Sequence, residues 1–324
     1  MKLPRRKFLH LAAGAAALPA LPRVANALDY PTRPVRLIVP LPAGGAADIV
    51  ARHMARWLEG LGQPVIIENK PGAGSNIGVQ AVINATPDGY TLLLFGTASA
   101  IGATLYENLP FNFVRDITPV AGLVRFPLVM EVSQLFPATS VSEFIAYAKA
   151  NPGGINMGSA GIGTAPHLAG EMFKAMTGVN MIHVPYRGEP PAITDMIGGR
   201  VQVMFGNVTA SIAQIRSGAL RALAVTTAKR VEILPDVPTV ADTVPGYEAS
   251  GWFGIGAPKN TPTAIIEKLN RAIGDGLANP EIRERYAELG STTLAFTPAE
   301  FGAHVQSEIE KWGQVVKSSG AKPE

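Results

Sequence analysis

Two hydrophobic periods alternate along this chain. Short runs rich in Val, Ile and Leu, such as residues 35–39 and 220–225, are typical of buried β-strands. Longer segments place apolar residues three or four positions apart, as amphipathic helices do; in residues 46–61, Val50, Met54 and Trp57 fall on one face. Because the two patterns alternate over most of the sequence, they predict an α/β fold with mainly parallel sheets flanked by helices.

The predicted elements cover most of the chain after residue 34. The predicted strands are residues 35–39, 65–68, 91–95, 120–124, 128–131, 156–158, 181–184, 201–205, 220–225 and 254–257. The predicted helices are residues 46–61, 77–84, 141–151, 166–177, 189–198, 208–217, 262–278, 280–289 and 298–318. No long linker separates two halves, so we expect two domains joined by short crossovers near residues 123–129 and 243–252. Two lobes joined in this way form a cleft with a hinge.

The first 27 residues have the pattern of an export signal. Arg5 and Arg6 precede a short apolar run, and the small-x-small sequence Ala-Asn-Ala ends at Ala27. A membrane anchor is the alternative, but a bilayer requires about 20 apolar residues, and Pro19 and Pro22 interrupt this run. The pattern therefore predicts a cleaved signal peptide over residues 1–27. The paired arginines favour the twin-arginine route over the general one.

Removal of the signal changes the charge of the chain. The full sequence has a formal net charge of +3, and residues 1–27 contain five basic residues and no acidic one, so the mature chain carries −2. A nucleic-acid partner or an anionic membrane surface is therefore not expected. The sequence has no cysteine, which excludes disulfides and thiol chemistry.

Signatures of common enzyme classes are missing from the sequence. The histidines of the mature chain, His53, His167, His183 and His304, lack the spacing of a zinc site. There is no GxSxG elbow and no Walker A motif. Residues 72–78 come near the dinucleotide fingerprint, but the spacing of the later glycines differs, and a plain loop is the favoured interpretation. We expect neither catalysis nor a metal nor a cofactor.

Six turns rich in glycine and hydroxyl residues follow predicted strands. They are residues 42–48, 69–78, 95–102, 157–167, 184–188 and 205–211. The carboxyl ends of parallel strands line one crevice, and exposed amides at helix starts attract anions. Taken singly, each turn is an ordinary connection, and Asp48, His167 and Tyr186 have ordinary structural explanations. Only the set indicates a small neutral or anionic ligand held by neutral donors.

Several motifs occur together in a characteristic order. They are YPTRPVRLIVPLPAGGAADIVAR, NKPGAGSNIG, PDGYTLL, GSAGIGTAPHL, HVPYRG, LPDVPTV and GYEASGWFGIGAPKNTP. Over essentially the whole mature chain, the sequence resembles the tripartite tricarboxylate transporter substrate-binding proteins, the Bug family. The resemblance implies a monomeric, periplasmic, two-lobed Venus-flytrap protein that binds a small organic carboxylate for integral membrane transporter subunits. The implied lobes are residues 28–126 plus 247–324, and residues 127–246.

The resemblance also implies where the ligand binds. In the family, the loop after the first strand and a neighbouring loop grip the carboxylate, partly through ordered water. The corresponding positions in this sequence are Pro42, Ala43, Gly44, Gly45, Asp48, Gly74, Ser75, Thr97, Ala98, Ser99, Ser159, Gly161, Thr164, His167, Tyr186 and Asn207. The Gly-Gly turn is thus interpreted as a carboxylate grip made of N–H donors that carry no charge.

Two positions depart from the family pattern. Where the family often has Phe-Asp-Asn, this sequence has Phe205-Gly206-Asn207. Loss of that acid would remove a partner for a ligand amine, so an amino-acid ligand is disfavoured. Ala43 stands where the family usually has proline, a change that should only loosen the loop. Two other functions stay open: an orphan carboxylate receptor that feeds a sensor, and, less favoured, an exported enzyme.

Overall fold

Two β-sheets share one long strand in the computed structural model, which describes residues 29–323. The strands are β1 Val35–Val39, β2 Val65–Asn69, β3 Thr91–Gly96, β4 Ile117–Ser133, β5 Asn156–Ser159, β6 Ile182–Pro185, β7 Val203–Asn207, β8 Leu220–Val225, β9 Ser250–Pro258 and β10 Thr292–Thr293. The α-helices are α1 Ala46–Leu58, α2 Asn76–Ile83, α3 Thr97–Leu105, α4 Phe113–Asp116, α5 Val141–Ala150, α6 Ala165–Thr177, α7 Glu189–Ile197, α8 Val208–Arg216, α9 Thr263–Ala278, α10 Pro280–Glu288 and α11 Pro298–Ser319. The signal peptide predicted over residues 1–27 lies outside the described residues.

The first half of β4 belongs to one sheet and the second half to the other. In the first sheet, β1 pairs in parallel with β2 and β3, while β9 lies antiparallel between β3 and β4, and β10 pairs with β4. In the second sheet, β5 pairs in parallel with β6 and β7, and β4 pairs antiparallel with β7 and β8. The predicted α/β fold class is confirmed. Both sheets are mixed, because β4 and β9 run antiparallel to their neighbours.

The crossover expected at residues 123–129 is a strand and not a loop. The two strands predicted over residues 120–124 and 128–131 are parts of β4, which pairs with β9 as far as Pro127. Leu128 then pairs with Asn207 of β7, so the chain enters the second sheet without a turn. Pro127 suits this change of partner, because proline donates no backbone hydrogen bond.

Five strands lead into helices that begin near the carboxyl end of the strand: β1, β3, β5, β6 and β7 precede α1, α3, α6, α7 and α8. The turn predicted over residues 95–102 was wrong in part, since β3 ends at Gly96 and α3 begins at Thr97. Glycine is required at position 96 because a Cβ there would overlap the carbonyl oxygen of Trp252 in β9. These junctions bring the start of each helix to the same side of the sheets.

Aromatic side chains fill the space between sheets and helices. Phe95 meets Trp252 edge-on beside the first sheet, with ring centroids 5.7 Å apart. Phe173 of α6 packs on Phe205 of β7 in the second, at 5.3 Å. Such large buried side chains fix the helices on the sheets through the area they remove from water. Within residues 29–323, no helix has the length and apolar character needed to cross a membrane.

Candidate functional site

The N-termini of five helices meet around one space, which we call the inner cavity. Its lining includes Gly45, Ala46 and Ala47 at α1, Thr97 and Ala98 at α3, Thr164, Ala165 and Pro166 at α6, Gly188 and Glu189 at α7, Asn207 at α8, and the apolar Leu41, Phe126 and Phe253. The volume of the cavity that the centre of a water molecule can occupy is about 40 Å³. This volume leaves room for a small polar group or a few waters. Helix N-termini favour negative charge through their dipoles and unpaired amides, so the cavity suits an anion.

A larger groove adjoins the inner cavity, and we call it the outer groove. The two spaces share Leu41, Pro42, Ala160, Thr164 and Gly188, and the groove measures about 670 Å³ on the same basis. Its other lining residues are Pro71, Gly72, Ala73, Gly74, Ser75, Tyr106, Gly161, Ile162, Pro185, Tyr186 and Arg187. Among the described residues that line the groove, Arg187 alone is charged. A ligand larger than the inner cavity can therefore extend outward.

The start of α1 offers amide donors to the inner cavity. Gly45 is the N-cap residue, and Ile49 donates back to its carbonyl at 3.1 Å. The amide of Ala46 donates to Glu189 at 3.1 Å. The amide of Ala47, which lines the cavity, finds no acceptor within residues 29–323. One donor at the positive end of this helix thus remains for a ligand.

Asp48 holds the glycine loop from behind and does not line the cavity. Its carboxylate accepts hydrogen bonds from the amide of Gly44 at 3.0 Å, from Arg52 at 2.9 and 3.0 Å, and from Asn69 at 3.0 Å. Burial acts to raise the pKa of Asp48, but the hydrogen bonds from Arg52, Gly44 and Asn69 lower it below its usual value. Because Gly44 uses its amide on Asp48, this amide is not free for a ligand.

Glu189 places a carboxylate in the inner cavity, and the sequence motifs did not identify it. One oxygen accepts from the amide of Ala46, and the other accepts from the amide of Asn207 at 3.1 Å and from its side-chain amide. Only 4 % of Glu189 is exposed. Burial raises the pKa of Glu189, and the N–H bonds from Ala46 and Asn207 oppose this rise. Among the described residues lining the cavity, Glu189 alone has an ionisable side chain.

A second buried carboxyl group lies behind this wall. Glu131 of β4 is fully buried, and neither of its oxygens has a hydrogen-bond partner within the described part of the chain. The hydroxyl of Ser211 donates instead to the carbonyl of Asn207, at 3.4 Å. Burial raises the pKa of Glu131 to about 8, and the charge of Glu189 adds to the rise.

Gly206 makes room for Glu131, since a Cβ at position 206 would overlap one of its carboxyl oxygens. Val129, two residues before Glu131 in β4, is the cross-strand partner of Gly206. The expectation that Gly206 leaves a ligand amine without an acidic partner at this position stays a prediction, because Glu131 lies behind the lining of the cavity. The space beside the glycine holds a carboxyl group that comes from the neighbouring strand.

The structure brings many of the predicted site residues together. The predicted residues that line the inner cavity are Pro42, Gly45, Thr97, Ala98, Thr164 and Asn207. Those that line the outer groove are Pro42, Gly74, Ser75, Gly161, Thr164 and Tyr186. Those that line neither space are Ala43, Gly44, Asp48, Ser99, Ser159 and His167. Within the last group, Asp48, Ser159 and His167 form hydrogen bonds with the neighbouring loops.

Ser159 and His167 show how such support works. The Ser159 hydroxyl accepts from the amide of Gly161 at 3.1 Å and lies 2.7 Å from His183. His167 accepts from the amide of Gly163 at 3.2 Å, and its ring stacks on His183. Burial, with His183 and Lys174 adding to it, lowers the pKa of His167 to about 3, so the ring is neutral. These contacts hold the loop before α6 in shape.

Tyr186 is fixed at the rim of the outer groove. Its hydroxyl donates to Asp195 of α7 at 2.7 Å. Burial raises the pKa of Tyr186 to about 12, and the hydrogen bond to Asp195 acts in the same direction. The phenol is therefore protonated at neutral pH, and Tyr186 is one of the residues that line the groove. Within residues 29–323, no group of His, Asp and Glu side chains could hold a metal ion.

Comparison with known protein families gives an extended match. The family described as "Tripartite tricarboxylate transporter family receptor" matches residues 49–321. Protein BugT from Bordetella pertussis is 39% identical over 301 residues, which cover 92% of this chain and 92% of BugT. The similarity therefore extends over both sheets and all five helices at the cavity.

Several solved structures are also similar to this chain. R. palustris Rpa4515 with adipate has a TM-score of 0.88 and 36% identity, covering 91% of this chain and 100% of that one. Periplasmic binding protein BugD has a TM-score of 0.87 and 37% identity, with coverage of 91% and 100%. MatC from Rhodopseudomonas palustris with bound malate has a TM-score of 0.84 and 31% identity, with coverage of 89% and 100%. Two of these three proteins hold a dicarboxylate.

Proposed function

The chain belongs to the tripartite tricarboxylate transporter receptor family, and we propose that it captures a small organic carboxylate in the periplasm for the membrane subunits of a transporter. Membership of the family confirms the resemblance drawn from the sequence motifs. The adipate and malate held by two similar proteins support a carboxylate as the ligand class. The family is described as a receptor family, and the sequence lacks the enzyme motifs considered above. Both observations favour ligand binding without catalysis.

The observation that carries the proposal is the meeting of five helix N-termini at the inner cavity. Each N-terminus stabilises a nearby anion by typically 0.3–1 kcal/mol, and up to ~2 kcal/mol where it is partly buried. The free amide of Ala47 adds a directed hydrogen bond to an anionic oxygen. These donors belong to the backbone, so they are already held in place when the ligand arrives.

Closure of two lobes on the ligand is the second part of the proposal. The proposed lobes are residues 28–126 plus 247–324, and residues 127–246, joined by β4 and by the segment near residues 243–252. Gly45 and Thr97 line the inner cavity from the first, and Thr164 and Asn207 line it from the second. Only a closed arrangement makes both sets of contacts, so a ligand that binds here favours closure. We propose that the exported protein is a monomer.

A thermal-shift screen of small carboxylates against their neutral amides tests this function. A carboxylate at 100 times its dissociation constant should add about 2.7 kcal/mol to the free energy of unfolding. The matching amide should add nothing measurable, since it lacks the negative charge that helix N-termini favour. Equal stabilisation by acids and amides would refute the carboxylate grip, and so would a lack of response to every carboxylate.

A further inference from the structure

The inner cavity contains an acidic side chain, although its proposed ligand is an anion. No Lys, Arg or His is among the described lining residues, and the one ionisable group there is the acid Glu189. Its two oxygens accept hydrogen bonds from Ala46 at the start of α1 and from Asn207 at the start of α8. All these partners are N–H donors, which suits the ionised carboxylate. The side chain thus takes positions that an anionic ligand would otherwise use.

We propose that Glu189 is a specificity-determining residue that admits one ligand carboxylate to the inner cavity and excludes a second. The proposal rests on the carboxylate-binding function proposed above. The ligand carboxylate is assigned to the free amide of Ala47, while Ala46 and Asn207 remain bonded to Glu189. A compact dicarboxylate would bring its second charge close to Glu189, with no cation in the lining to offset it.

The neighbouring atoms favour a hydrogen-bond donor at the far end of the ligand. The side-chain oxygen of Asn207 is buried and has no hydrogen-bond partner within the described part of the chain. It is an acceptor, as are the oxygens of Glu189. A ligand amide or hydroxyl group can donate to these acceptors, whereas a carboxylate cannot. The preferred compact ligand is therefore a carboxylate with a neutral donor group, such as the half-amide of a dicarboxylic acid.

Binding calorimetry at neutral pH on the mature full chain tests this assignment. The probes are unbranched dicarboxylates of three to six carbons, each paired with its half-amide of nearly the same shape. The wild type should bind the preferred half-amide at least about tenfold more tightly than the matching diacid, since like charges at close range cost several kcal/mol when buried. Glu189→Gln keeps the size of the side chain and removes its charge, so this preference should disappear or reverse.

The matched control is Glu131→Gln, which changes a buried carboxyl group outside the lining of the cavity. It should keep the wild-type preference. Because each ratio compares two ligands on the same protein, a loss of stability in either variant does not alter its meaning. An unchanged ratio in Glu189→Gln would overturn the assignment and leave the carboxylate function intact. An equal change in Glu131→Gln would also overturn it, and no binding of any probe by any of the three proteins would refute both proposals.

Discussion

Glu131 should make the protein less stable as the pH rises. Its carboxyl group is fully buried, and its pKa rises from 4.5 to about 8 on folding. Between these values the folded protein keeps a proton that the unfolded chain has released, so stability falls by up to about 1.4 kcal/mol per pH unit. Over the whole interval the loss approaches about 5 kcal/mol, and water penetration and relaxation bring the expected value to roughly 2–5 kcal/mol.

The perturbation is Glu131→Gln, with Glu131→Leu as a second variant of similar volume. Urea unfolding of the three proteins between pH 5 and pH 9 gives each free energy of unfolding. The advantage of both variants over the wild type should grow as the pH rises from 5 and level off above about 8. The two variants should differ by a constant offset, because neither has an ionisable group at this position. Parallel stability curves for wild type and variants, or an advantage that grows toward acid, would refute the reasoning.

Four further predictions concern the site and its processing. Gly45→Val should weaken carboxylate binding by roughly 2–4 kcal/mol in calorimetry without unfolding the protein, because a Cβ at position 45 would lie 3.4 Å from Glu189. The control is Gly60→Val, since a Cβ at position 60 would meet nothing within 4 Å. Asp48→Ala should lower the free energy of unfolding by roughly 1–3 kcal/mol in urea and weaken binding, because the amide of Gly44 and the side chain of Asn69 lose their acceptor. Binding of a carboxylate should reduce the radius of gyration measured by small-angle scattering, whereas the matching neutral amide should not. Thr164→Ala should reduce this closure more than it weakens the initial docking of the carboxylate. N-terminal sequencing of periplasmic protein should begin at Leu28, and an intact Met1 in the membrane fraction would contradict the cleavage site.

The periodicity of apolar residues predicts those helices and strands that have one solvent-exposed face or consist of one short apolar run. The strands over residues 35–39 and 220–225 match β1 and β8, and α1 begins at Ala46 as predicted. α3 was missed because nearly all of its side chains are buried, so it shows no polar face. β4 was divided in two because Arg125 and Pro127 interrupt its apolar pattern, although pairing with β9 continues through both residues. That pairing is tertiary, and local periodicity does not contain it.

The same distinction explains which site residues the sequence identified. The turns after the strands could be predicted, because glycine and hydroxyl residues between a strand and a helix have a local signature. Glu189 could not, since its partner Ala46 lies 143 residues away in the sequence. The motif HVPYRG ends one residue before it. The position of Asp48 in the first turn of α1 was evident from the sequence, but its hydrogen bonds to Gly44 and Asn69 depend on the folded loop.

The geometry of β4 connects the proposed hinge to the wall that selects the ligand. The pairing of β4 with β8 is irregular between Met130 and Glu131, just after the strand has entered the second sheet. Such an irregularity bends a strand and increases its local twist. Glu131 lies against Gly206, and the next residue, Asn207, holds Glu189. We therefore expect closure of the proposed lobes by bending at this point to move Glu189 together with the donors of α8, so that the hinge positions the selecting charge.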